Sequence, residues 1–225
     1  MALSVEIELS VQGIALGWVV AEGCSAGASQ GGLLTEVRAA VDGAVAGAAD
    51  PQKQLHKSAV RDMLRFGAYK PTGRGKPASE YLLGAALAGE FPGVNALVEI
   101  NNLISVSELL PISLVDLDLA ETRSFVCRRG REGESYAFNP SGQILDLRDL
   151  LLLARLPSDA PCATPVKDSQ ATKTRPGTRA VLGVVYAPAL LAREAEAAAV
   201  RMGALMARFC GAEIASGSAP PRGAC

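Results

Sequence analysis

The spacing of apolar residues changes at Pro111, and that change restricts the folds open to this chain. Before it, apolar side chains return every three or four positions over residues 34–48, 55–66, 79–88 and 94–109, the repeat of helices that bury one face. Asp50 followed by Pro51 separates the first two helices, and Gly89 to Pro92 stops the third. After Pro111, short runs at 112–119, 124–129, 135–139 and 144–147 have strand character, with glycines and charges between them. Residues 5–11 and 14–21 add two strands at the start, read as a hairpin turning at Gly13. An apolar strand at 181–186 leads into a long alanine-rich helix at 190–210. The expectation is an α/β chain of the segregated α+β kind, a single domain whose mixed β-sheet is flanked by helices.

A chain of 225 residues, 49% hydrophobic, can bury one sizeable core, so one domain is expected at 1–215. The Ser-, Gly- and Pro-rich residues 216–225 read as a disordered tail. With aromatics at only 4%, the core must be filled by small and branched aliphatic side chains. No basic flank and apolar run mark a signal peptide at the N-terminus, and no run of about 20 apolar residues can span a bilayer. A cytoplasmic protein without membrane contact is expected.

Several chemistries are disfavoured by what is missing. The cysteines Cys24, Cys127, Cys162, Cys210 and Cys225 are odd in number and contain no CxxC pair, which points to a reduced compartment and away from zinc. His56, the only histidine, lies among Gln54, Lys57 and Arg61 on what reads as an exposed helix face, so a Ser-His-Asp system is not expected. No GxGxxG, Walker or GxSxG sequence is present. No metal and no cofactor are therefore expected. A net charge of −1 does not advertise nucleic-acid binding, but Lys70, Arg74 and Lys76, Arg123 to Arg131, and Lys167 to Arg179 are locally basic. Brought together by folding they would make a phosphate-holding rim; left apart they are solvated surface charge.

Two segments stand out for polar chemistry. Asn101 and Asn102 are adjacent inside a helix, where each costs propensity that Leu or Ala would not; they either hold a ligand or form a polar core network. Residues 167–174 (Lys167, Asp168, Ser169, Gln170, Ala171, Thr172, Lys173, Thr174) form a polar run between apolar strands, suited to an anionic or sugar-bearing ligand, or simply solvated. Arg131 to Glu134 reads as a turn.

In order and spacing, residues 61–65, 76–80, 95–102, 110–116, 133–134 and 165–174 resemble the B3/B4 editing domain of the phenylalanyl-tRNA synthetase beta subunit, and more closely its free-standing bacterial and archaeal relatives. The resemblance runs from about residue 61 to residue 188. It implies a B3/B4-like fold and hydrolysis of the ester joining a wrong amino acid to tRNA, without metal or cofactor. It departs from the family where Ser113 replaces a histidine and where residues 181–185 offer no glutamate, so tyrosine specificity is not carried over.

The resemblance implies a stand-alone, trans-acting aminoacyl-tRNA deacylase whose partner is the aminoacylated acceptor end of tRNA, with a synthetase as a docking partner. Asp168 and Asn101 are the expected catalytic residues. Asn102, Ser113, Glu134, Lys167, Ser169, Thr172 and Lys173 are expected around the substrate, and Arg74, Lys76 and Arg128 on RNA phosphates. The alternatives are a non-catalytic module that binds an RNA end or an amino acid, and a small-molecule binder of the same fold.

Overall fold

The computed structural model describes residues 3–29 and 31–219. The chain runs β1 (Glu6–Leu9), β2 (Ile14–Glu22), α1 (Gly31–Ala46), α2 (Pro51–Leu64), α3 (Ala78–Ala88), α4 (Ala96–Glu108), β3 (Ile112–Asp116), α5 (Leu117–Ala120), β4 (Ser124–Arg129), β5 (Ser135–Ala137), β6 (Ile144–Asp146), β7 (Leu151–Arg155), β8 (Ala160–Ala163), β9 (Ala180–Pro188), α6 (Ala192–Cys210) and β10 (Glu213–Ala219). The fold class is α+β in a single domain, as expected, with helices flanking the sheet structure. Instead of one mixed sheet there are two four-stranded sheets, ordered β1-β4-β7-β8 and β10-β2-β9-β3, and a small ribbon of β5 and β6.

The second sheet is wholly antiparallel and centres on β2 and β9, which pair from Ile14 opposite Pro188 to Glu22 opposite Ala180. Strand β9 is buried along its whole length, which accounts for its unbroken small and apolar sequence. Helix α6 lies across β2, β9 and β10, and comes so close at Gly17 that a Cβ there would stand 2.1 Å from the carbonyl oxygen of Ala195. Helix α4 then packs between α6, α1 and α3 and reaches β3.

Local chemistry explains the helix ends. The Asp50 side chain accepts from the Gln52 amide at 2.8 Å with Pro51 in the first turn, and Asn95 Oδ1 accepts from Val98 N at 3.0 Å. Helix α3 stops at Gly89, whose φ of 72° is open to glycine at little cost.

Two expectations are corrected. The first two strands do not form a hairpin: β1 pairs in parallel with β4, while β2 belongs to the other sheet. Residues 216–219 are not tail but the end of β10, paired with β2 through Ala219 opposite Leu16. Residues 220–225, including Cys225, lie outside the described residues. The other four cysteines are buried free thiols. Among the described residues no helix is long and apolar enough to cross a membrane, and no group of three His, Cys, Asp or Glu is placed to hold a metal ion.

Candidate active site

The two large sheets meet where their outer strands, β3 and β8, come together. An outer strand carries backbone amides that no neighbouring strand satisfies. Here the Asp168 carboxylate supplies the acceptors: Oδ2 takes the Leu114 amide of β3 at 3.1 Å, and Oδ1 takes the amide of Thr164, just past β8, at 3.3 Å. The Ser113 hydroxyl donates across the same seam to the Thr164 carbonyl at 3.1 Å.

The segment that presents Asp168 is shaped by its own hydroxyls. Thr164 Oγ1 accepts from Val166 N and Lys167 N and donates to the Lys167 carbonyl at 2.8 Å, closing a tight turn. Ser169 Oγ accepts from Ala171 N and caps the single 3-10 turn Gln170–Thr172, and Thr172 Oγ1 donates to the Cys162 carbonyl at 3.0 Å. Ser113, Ser169 and Thr172 are thus buried and committed to the scaffold rather than to the cavity wall. Tyr136, from the β5-β6 ribbon, fixes the turn from outside by donating to the Lys167 carbonyl at 2.6 Å.

In front of Asp168 lies a cavity of about 400 Å³. Asp168, Lys167, Lys173, Asn101 and Asn102 line it together with Thr164, Thr174 and an apolar wall that includes Val94, Val98, Ile112 and Leu114. The two asparagines face it from α4. Asn101 Nδ2 donates to Asn102 Oδ1 at 3.1 Å, and Asn101 Oδ1 is buried without a hydrogen-bond partner. The cavity shares Asn101, Asn102, Lys167 and Lys173 with a wider groove of about 1280 Å³, which Arg74, Lys76, Tyr81, Phe138 and Ile144 also line.

Burial pushes the Asp168 carboxyl up from 3.8 to about 6, against the opposing effects of the Ser113 hydroxyl, the Leu114 and Thr164 amides and the Lys173 charge. Burial also lowers Lys167, and the positive charge of Arg74 lowers it further. Both lysines lean on Phe138: Lys167 Nζ lies 4.1 Å from the ring centre, and Lys173 Nζ donates to the Phe138 carbonyl at 2.7 Å.

Arg128 and Glu134 are placed elsewhere. All five Arg128 donors are used internally, two on Glu134 at 2.7 and 2.8 Å, two on the carboxylate and carbonyl of Asp159 at 2.7 and 3.0 Å, and one on the Arg129 carbonyl at 3.1 Å. Neither residue lines the cavity or the groove. His56 is half-buried on α2, within 3.4 Å of Gln52 Nε2 and apart from both. Thr164, Tyr136, Phe138 and Tyr81 were not singled out from the sequence. In a chain with so few aromatics, Tyr81 and Phe138 on one groove, with Tyr136 bracing the turn behind it, are the signal the sequence carries.

No protein-family model matches the chain, and no curated protein matches it. Among solved structures, an N-terminal fragment of the phenylalanyl-tRNA synthetase beta-subunit from Pyrococcus horikoshii is similar, at 10% identity and a TM-score of 0.48 over 98% of this chain and 56% of that one. The chain therefore spans about half the length of that fragment. A likeness at this level assigns neither a site nor an activity.

Proposed function

We propose that the chain is a trans-acting esterase that releases an amino acid from the 3′ end of a tRNA, with Asp168 as its base. One observation carries this reading: the Asp168 carboxyl group, which burial raises to about 6, lines a cavity that shares residues with a groove rimmed by Arg74, Lys76, Lys167 and Lys173. Such a cavity admits an amino acid, and such a groove suits the phosphates of the strand that carries it.

In the proposed step a water held beside Asp168 attacks the ester carbonyl carbon and gives its proton to the carboxylate. Asn102, oriented by the bond from Asn101, donates to the oxyanion that develops. The carbon–oxygen bond to the ribose then breaks, and the leaving oxygen takes the proton back from Asp168. Nothing in the step requires a metal or a cofactor.

A second reading rests on the seam. Because both Asp168 oxygens already accept backbone amides, the residue also suits a module that binds an amino acid or RNA end without turning it over. Release of labelled amino acid from a panel of correctly and incorrectly charged tRNAs decides between them. Turnover on a mischarged species, lost in Asp168→Asn, supports the esterase. Binding without release across the panel supports the module.

A further inference from the structure

We propose that the groove outside the Asp168 cavity is a single-stranded nucleic-acid track, in which Arg74, Lys167 and Lys173 hold successive phosphates and Tyr81 stacks an unpaired base. This deepens the preceding reading by assigning the strand its own surface, and its test does not depend on turnover.

Charge is the first support. Arg61, Arg65, Arg123, Arg128, Arg131, Arg148, Arg201 and Arg208 all have carboxylate partners. Among the described residues, Arg74, Lys76, Lys167 and Lys173 form no ion pair, although all four line one groove. The groove contains two acids. Glu80 is taken by Arg61 at 2.5 Å and Lys57 at 3.7 Å, which leaves Glu90 against four cations. Arg74 is near enough to Lys167 for its charge to disfavour the lysine's own. Four like charges that form no ion pair, gathered in one groove of a chain of net charge −1, are complementary to an anion from outside.

Geometry is the second. Lys167 and Lys173 are both tied to Phe138, so their ammonium groups are positioned before any ligand arrives. Tyr81 is 68% exposed on the same groove, and Ile144 is 63% exposed. A large exposed ring beside a line of cations is the combination that binds single strands without reading their sequence. A duplex offers no open base face to that ring.

The test is fluorescence anisotropy of a labelled, uncharged single-stranded RNA oligonucleotide with the full chain, over a series of salt concentrations. The logarithm of affinity should fall against the logarithm of salt with a slope of about −2, the release expected from about three phosphates. Arg74→Ala should make that slope shallower by about 0.7. Tyr81→Ala should weaken binding about tenfold at unchanged slope, and Tyr81→Phe should restore it. Both positions are exposed, so these variants keep the fold. Binding that ignores Arg74 and Tyr81, equal affinity for a duplex, or displacement by inorganic phosphate as effective as by unlabelled strand overturns the track. An oligonucleotide that binds as expected while charged tRNA is not deacylated removes the esterase reading alone. Cleavage of a small amino-acid ester without oligonucleotide binding removes the track alone.

Discussion

Asp168 is placed where two demands meet, since it holds two backbone amides and also faces the cavity. As a base it works only when ionised, so the proposed hydrolysis should rise about tenfold per pH unit below about 6 and level off above it, as a pH–rate profile would show. Asp168→Asn should lower turnover by about 10² to 10⁴ and abolish that rise. Stability should run the other way. The folded-state value lies above the ordinary 3.8, so the native state holds this proton more tightly than the unfolded chain. The stabilisation is complete below about pH 4 and is lost as pH rises through about 6, and Asp168→Asn should flatten the urea midpoint across that window. Asp168, Lys167 and Lys173 were recognisable in the sequence as a polar run between apolar segments. Ser169 and Thr172 belong to the same run but turn inward, because the backbone of so tight a segment needs hydroxyl partners that composition does not reveal.

Elements with internal periodicity were legible, and those defined by a distant partner were not. Helices α1 to α4, the long α6 and strands β4 and β9 could be read because each repeats its own pattern. The parallel pairing of β1 with β4 joins residues more than a hundred positions apart, and nothing near Gly13 encodes it. Strand β7 is a short leucine run, which periodicity cannot assign to helix or strand. Strand β10 looks like a tail because its side chains contribute little packing. Its Gly217 has no Cβ because the Trp18 ring occupies that space, with atoms 2.6 Å from where a Cβ would stand. The contact of α6 with β2 at Gly17 is tighter still. Gly17→Ala should cost about 3 kcal/mol in denaturant unfolding, since backbone rather than a flexible side chain blocks the added methyl.

Across the whole molecule, charge is divided between arginines that hold the fold and cations that do not. Arg128→Ala should cost about 2 kcal/mol of stability, by leaving Glu134 and Asp159 without their partner, yet leave the salt slope of oligonucleotide binding unchanged. Arg74→Ala should do the reverse. Net charge does not show this division, because a total of −1 sums over the whole surface and says nothing of which cations share a groove. The seam between the sheets gives the molecule one more property. Leu114 and Thr164 donate their amide protons to the same carboxyl group that faces the cavity, so whatever occupies the cavity and alters Asp168 alters how readily those two protons escape to solvent. Deuterium uptake at these two positions, read against the interior of β9, is therefore a built-in gauge of site occupancy that needs neither a labelled ligand nor turnover.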